Sequence, residues 1–317
     1  IRAQIVRRAG AVWVWSRGEE LVTDRFPELA SAALQGLPDG TVMDGEILVW
    51  LPGEPAPRPF ADLQKRLGRK TLTPKLLREL PVVLVAYDLL EHAVQDVREQ
   101  PQQARRALLE ALLQPPSTTI GETPAVALRL SPLLQGADWQ DLARQREAAR
   151  SLGTEGFMLK HRDAHYGVGR TKDVGVWWKW KIDPMSVDAV LIYAQRGHGR
   201  RASLYTDYTF AVWNGPPEDA NRQLVPFAKA YSGLTDAEIA QVDAIIRKTT
   251  RESFGPVRSV EATQVFELGF EGIAKSPRHK SGIAVRFPRM LRWRQDKPVA
   301  EADTLQTLAA LLPESSA

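Results

Sequence analysis

The 317-residue sequence predicts an α+β chain of two domains: sheets with flanking helices over residues 1–185, then a small β-barrel carrying one helix over residues 186–317. Three observations predict it. Up to residue 181, runs rich in β-branched and aromatic residues alternate with short helical patterns. At Asp183-Pro184-Met185-Ser186 a proline interrupts the pattern like a hinge, and a new strand, VDAVLIYAQ, comes at once. Beyond it, five strand patterns enclose a single helix, which is compatible with a Greek-key barrel of the OB type.

In the first half the strand candidates are AVWVW (11–15), TVMDGEILVW (41–50), VVLVAYDLL (82–90), AVALRL (125–130), EGFMLKH (155–161) and VWWKWK (176–181). Gly, Pro or Asp bounds them. Helical periodicity fits FADLQKRL (60–67), QQARRALLEALL (102–113) and DWQDLARQREAARSL (138–152), and EPAPRP (54–59) reads as an extended loop. In the second half, strands are expected at 187–195, 203–213, 223–229, 262–270 and 282–287. The helix TDAEIAQVDAIIRKT lies between the third and fourth, and its Thr235 and Glu238 form a capping box.

Composition removes several function classes. With no cysteine, disulfides, thiol catalysis and thiolate metal sites are excluded. No run approaches the roughly 18 apolar residues that a membrane span needs, and the opening IRAQIVRRAG has no signal-peptide pattern. A cytoplasmic protein fits these features. Net charge is only +4, but from Lys275 to Lys297 there are eight Lys or Arg against one acid, Asp296. Such density fits either phosphate contacts or a solvated surface.

Four short stretches carry chemistry. In MDGEILVW, Glu46 sits in a buried-looking strand and needs a partner there: a ribose hydroxyl, a metal, or a structural ion pair. Tyr87, in AYDLL, has the flat face to stack on a base, or it packs as a core tyrosine. Glu155 begins the strand EGFMLK and is a second candidate for a hard cation. In VWWKWK, alternation puts Lys179 and Lys181 on one face and Trp178 and Trp180 on the other. Two adjacent ammonium groups are best tolerated with a polyanion between them.

In order, these stretches and the closing RFPRMLRWRQDK resemble the successive motifs of covalent nucleotidyltransferases, and among them the ATP-dependent DNA ligases. SRGEELVTDRFPEL (16–29) and PFADLQKRL (59–67) are also ligase-like, so the resemblance covers essentially the whole chain. The implied fold is a nucleotidyltransferase (ATP-grasp-like) adenylation domain with antiparallel sheets, followed by an OB-fold barrel. The insertion YAQRGHGRRASLYTDYTFAVWNG resembles a bacterial subgroup found with helicase and nuclease partners and linked to DNA damage.

Carried over residue by residue, the resemblance implies a site. Arg2 contacts the nucleotide and the nick phosphate, and Arg17 the nick backbone. Glu46 holds the ribose or a metal ion, Tyr87 stacks on adenine, and Glu155 helps to bind Mg²⁺ or Mn²⁺. Lys179 and Lys181 hold the α-phosphate. Arg294, Asp296 and Lys297 reach the pyrophosphate, while Arg286 and Arg289 serve the same barrel face or the DNA backbone. ATP is the implied substrate, with AMP as covalent intermediate. Nicked duplex DNA is the implied partner of a monomeric, nucleoid-associated enzyme.

One departure stands out. The family's nucleophile is the lysine of Lys-x-Asp-Gly, and Ile1-Arg2 matches the two residues just after that glycine, so the lysine is expected at the fourth position before Ile1. Lys65, Lys70, Lys75 and Lys160 do not replace it. Two rival readings stay open: an RNA ligase or capping-type guanylyltransferase, and a non-catalytic protein that tracks nucleic acid with its basic barrel.

Overall fold

The first two strands, β1 (Arg2–Arg8) and β2 (Ala11–Ser16), form a hairpin whose tight turn is Ala9-Gly10. Both turn residues have positive φ, and the Asp39 carboxylate accepts their two N–H groups at 3.0 Å. The computed structural model of the chain describes residues 1–69, 71–113, 127–167 and 176–312. It divides into two compact units, Ile1–Ile182 and Asp183–Ala317.

After helix α1 (Pro27–Gly36), which starts on a proline at its first turn, comes β3 (Thr41–Val49). Helices α2 (Phe60–Leu67) and α3 (Pro74–Glu79) lead to β4 (Val82–His92), the short β5 (Gln95–Asp96) and helix α4 (Gln102–Leu113). The sheet runs β2-β1-β3-β4-β5 with antiparallel neighbours. A last strand, β6 (Leu128–Leu130), pairs parallel to β4, the one departure from antiparallel pairing among the described strands. The start of the expected strand 125–130 lies outside the described residues. Ile5, Val14, Phe26, Leu29, Met43, Ile47, Leu84, Leu89 and Leu109 fill the core beneath this sheet. Helix α5 (Trp139–Glu147) is capped by Asp138 and precedes a two-stranded sheet of β7 (Gly156–Lys160) and β8 (Trp177–Lys181).

The second unit is built on β9 (Met185–Arg196). One edge pairs with β10 (Tyr205–Trp213), which in turn pairs with β11 (Leu224–Ala230). Helix α6 (Asp236–Thr249) comes after it, with the expected Thr235–Glu238 capping box in place. Next are β12 (Thr250–Phe254), β13 (Val257–Val260) and β14 (Val265–Phe270), then β15 (Gly272–Lys275), β16 (Ile283–Arg286), β17 (Arg289–Trp293) and helix α7 (Leu305–Ala310). The other edge of β9 is shared: residues 185–190 pair with β14 and residues 193–195 with β13. The sheet therefore curls. The Met290 N–H on β17 donates to the Ser232 carbonyl just past β11, at 2.9 Å, and turns it into a half-barrel around Phe210, Phe266, Phe270, Val242 and Ile246.

The α+β class and the barrel-like second unit match the expectation, but the number of strands does not. The missed strands β12, β13, β15 and β17 have four or five residues each, of which at most one is buried. Periodicity of two cannot register over so few buried positions. The segment RMLRW, which had read only as part of a basic tract, is itself strand β17.

Candidate functional site

Strand β8 aims Lys179 and Lys181 to one side, opposite Met158 and Gly156 of β7. Trp180 faces the other way, edge-on to Phe157 at 6.2 Å and to Trp139 of α5 at 5.8 Å. Arg146 covers the Trp180 ring at 5.0 Å and donates to the Lys181 carbonyl at 2.7 Å, so the tryptophan side anchors the lysine side. Gly156 makes the approach possible. Its φ is +117°, and a Cβ there would stand 2.4 Å from the Trp180 carbonyl oxygen. Glu155 lies just before β7 rather than inside it, and its carboxylate is 3.7 Å from Lys181.

Two more cations join this pair. Burial lowers the Lys179 ammonium from its ordinary range, and the neighbouring charges of Arg2, Lys181 and Arg17 lower it further, while Glu155 opposes them. The Arg17 N–H donates to the Arg2 carbonyl at 3.2 Å. Arg2, Arg17, Lys179, Lys181 and Glu155 are thus gathered in one place.

Beside them lies the DGE stretch in the middle of β3. Arg2 pairs in register with Glu46, and Gln4 with Asp44. Gly45 is buried where a Cβ would meet Leu84 and the Val85 carbonyl at under 3 Å, so only glycine lets β3 approach β4 this closely. The expectation for Glu46 needs correction. Its backbone lies between buried neighbours, but its side chain points away from the core and is 50% exposed. It has no need of a buried partner.

Tyr87 on β4 is half-buried, and burial together with nearby Asp44 raises its phenol above the ordinary range. Lys160 on β7 stands 4.9 Å from the centre of its ring and 4.1 Å from that of Trp177, and donates to the Tyr87 carbonyl at 3.3 Å. Burial pushes the Lys160 ammonium down to about 8, with Asp88 at 3.9 Å opposing and Arg105 assisting. Beneath, the Tyr166 hydroxyl donates to Asp44, and Gln4 donates to the other Asp44 oxygen at 2.9 Å. Burial still raises the Asp44 carboxyl above its ordinary range. Asp88 and Arg105 form a fully buried ion pair under the whole arrangement.

Asp44, Lys160, Tyr166 and Arg105 were missed as site residues. Asp44 had a signal, since it adjoins Glu46 in the same triplet, and so did Lys160, which closes the run that Glu155 opens. Arg105 also had one, because it shares the buried face of α4 with Gln102 and Leu109. Tyr166 had none. Lys70 lies outside the described residues.

Lys160 carries a stability prediction. Between pH 8 and the ordinary lysine value the unfolded chain holds a proton that the folded chain has released, so stability rises with pH across that window. Lys160→Met is expected to remove that part of the rise. Denaturant midpoints of both proteins at about pH 7 and about pH 9 test it, and an identical rise in the variant would count against it.

In the second unit, the Arg294 guanidinium donates through Nη1 to Asp188 at 2.9 Å and through Nε and Nη2 to Asp296 at 3.0 and 2.9 Å. Lys297 donates to the same Asp188 oxygen at 2.7 Å. Arg289 lies 3.4 Å from Glu271, Arg292 is 3.4 Å from Glu267, and the exposed Arg286 stacks over Phe287 at 4.7 Å. The basic tract is therefore not a row of unpaired charges. At least four of its eight cations, Arg289, Arg292, Arg294 and Lys297, are matched to acids within the unit.

Similarity to known proteins respects the same division. A family described as "ATP dependent DNA ligase domain" matches residues 1–181, and one described as "ATP dependent DNA ligase C terminal region" matches residues 201–297. A probable DNA ligase of Koribacter versatilis is 38% identical over 96% of this chain and 54% of its own length. A probable DNA ligase of Opitutus terrae is 38% identical over 98% of this chain and 32% of its own. The chain thus spans about half, or less, of the length of these curated relatives. Among solved structures, one from a study of Lig E DNA ligases is similar in fold, with a TM-score of 0.57 and 18% identity over 93% of this chain and 89% of that one. No helix among the described residues is long and apolar enough to cross a membrane.

Proposed function

This chain belongs to the ATP-dependent DNA ligase family, and on that premise we propose that it is the catalytic part of an enzyme sealing 5′-phosphate/3′-hydroxyl nicks in duplex DNA. In this reading Ile1–Ile182 is the adenylation domain and Asp183–Ala317 the OB-fold domain. The observation that carries it is the gathering of Arg2, Arg17, Lys179 and Lys181 beside the half-exposed Glu46 and the half-buried Tyr87. Four cations crowded together with one acid, Glu155, among them suit a phosphate, and the tyrosine beside them suits a purine.

The chemistry is three transfers at phosphorus. In the full-length enzyme the family's lysine attacks the α-phosphate of ATP, a P–N bond forms, and the bond to pyrophosphate breaks. The 5′-phosphate of the nick then takes the AMP and releases the lysine. Finally the 3′-hydroxyl attacks that phosphate, closes the backbone and expels AMP. Lys179 and Lys181 hold the phosphate and offset the charge that builds on its oxygens in each transfer. Arg2 holds the nucleotide and the nick phosphate, and Arg17 the nick backbone. Tyr87 stacks on the adenine and Glu46 receives the ribose hydroxyls. Arg294 and Lys297 serve the departing pyrophosphate, and Arg286 and Arg289 the DNA backbone. Sites of this kind work mainly by holding reactants in line.

Hydrated Mg²⁺ or Mn²⁺ fits the residues present. Glu46 and Glu155 each offer a carboxylate at least half exposed, and such ions keep several waters and take only one or two carboxylates besides substrate phosphates. The ion would neutralise phosphate charge there. We assign the enzyme to bacterial DNA repair, as a cytoplasmic, nucleoid-associated monomer working with helicase and nuclease partners. That finer reading rests on the resemblance of the insertion YAQRGHGRRASLYTDYTFAVWNG, which runs from the end of β9 through β10.

The test is to incubate full-length protein with α-labelled ATP and a divalent metal, then with nicked DNA or nicked RNA duplex. Covalent AMP on the protein and sealing of nicked DNA are expected. No adduct, labelling by GTP instead, or preference for RNA would overturn the reading.

A further inference from the structure

We infer that Asp188 is a positioning residue for nucleotide transfer: a buried carboxylate that holds Arg294 and Lys297 together as one cation pair for the leaving pyrophosphate. The inference rests on the ligase reading above. Its basis is the internal geometry of the second unit.

Asp188 lies on β9 and is 8% exposed. Its backbone is fixed from both sides, since its N–H donates to the Asp303 carboxylate at 2.7 Å and its carbonyl accepts the Asp303 N–H at 2.9 Å. One carboxylate oxygen, Oδ2, receives both the Arg294 Nη1 at 2.9 Å and the Lys297 Nζ at 2.7 Å. The two cationic heads are therefore no farther apart than two hydrogen bonds laid end to end. Without an anion between them they would repel and splay into solvent. Two cations converging on one anionic oxygen is also the arrangement in which a phosphate oxygen is held. Asp188 fixes that arrangement before any phosphate arrives, which saves the ordering cost at the moment of binding.

A second feature argues against a purely structural ion pair. The other carboxylate oxygen, Oδ1, is buried and has no hydrogen-bond partner among the described residues. A buried, half-satisfied carboxylate is an inefficient way to hold a fold together, because apolar packing of the same volume is usually at least as stable. The neighbouring contacts sharpen the assignment. Arg294 is fixed on its other edge by the exposed Asp296, whereas Asp188 is the one carboxylate partner of Lys297 among the described residues. Both cationic side chains keep about a fifth of their surface open, so a ligand can approach from the side opposite Asp188.

The experiment compares wild type, Asp188→Asn and Asp188→Glu as full-length proteins in two steps. The first is transfer of AMP from ATP to the protein, which expels pyrophosphate. The second is sealing of a pre-adenylylated nick, which involves none. Asp188→Asn is expected to raise KM for ATP in the first step about tenfold or more and leave the second within about twofold. Asp188→Glu keeps the charge and is expected to fall between. If Asp188→Asn does not fold, as a melting curve will show, Asp188→Glu carries the comparison with the same selective loss expected. An unchanged KM in a folded variant, or an equal fall in both steps, overturns the inference. Failure of the wild type to take AMP from ATP overturns the ligase reading instead.

Discussion

Lys181→Ala and Lys179→Ala are each expected to slow sealing of a pre-adenylylated nick by roughly 10²–10³-fold, the loss typical of removing one preorganised group that meets developing charge. The expectation comes from where β8 puts them. Both ammonium groups face the side where Arg2 and Arg17 converge, and the tryptophan side of the strand is held by Phe157, Trp139 and Arg146. Removing a lysine head therefore takes away charge without disturbing the contacts that position the strand. Lys181 remains 40% exposed and only 3.7 Å from Glu155, so its loss is expected to leave the melting temperature nearly unchanged. Lys181→Arg keeps the charge but replaces a compact ammonium with a broad planar fork, and only partial recovery is expected. Single-turnover sealing of a pre-adenylylated nick measures the effect apart from ATP binding. Near-normal sealing by both alanine variants would return this strand to a structural role.

Why was that strand legible in the sequence when other parts were not? VWWKWK, MDGEILVW and AYDLL combine dense β-branched or aromatic residues with a few charged groups, and each forms the strand expected. The two lysines share a face because alternation within a strand is purely local. Strand β1 was missed because only Ala3 and Ile5 of its seven residues are buried, and Arg2, Gln4, Arg7 and Arg8 mask the pattern. Helix α1 was passed over within a ligase-like stretch, although Pro27 at its first turn and buried Leu29 and Ala33 mark it in the structure.

The site itself was legible only at its rim. Glu46, Tyr87, Glu155 and the two lysines stand in short motifs. The layer beneath them depends on a pair distant in sequence, with Tyr166 reaching Asp44 across 122 positions, and within the second unit Lys297 likewise reaches Asp188 across 109. No periodicity encodes such a pair. The basic tract shows the same limit. Its density of charge was apparent, but that Arg289, Arg292, Arg294 and Lys297 would each find an acid elsewhere in the unit was not.

That buried layer gives the second large prediction, the cost of removing Arg105. All five of its N–H donors are used: two to Asp88 at 2.8 and 3.1 Å, one to Gln102 at 2.7 Å, and two to the carbonyls of Gln100 and Ala164 at 2.5 and 3.0 Å. Both partners of the ion pair are fully buried. Arg105→Met leaves the Asp88 carboxylate without its main counter-ion in the core, and is expected to cost about 3–5 kcal/mol of stability. Replacing both partners, as Asp88→Leu with Arg105→Met, removes the stranded charge and is expected to cost much less than the single change. Urea unfolding of the three proteins separates these outcomes, and a single variant within about 1 kcal/mol of wild type would contradict the argument. The same change must also reach Lys160. Arg105 helps to hold that ammonium down and Asp88 opposes it, so losing Arg105 raises the Lys160 value above about 8. Its proton is then kept to higher pH, and the rise of stability with pH begins later. The buried pair would thereby set the charge of the lysine that stands over Tyr87.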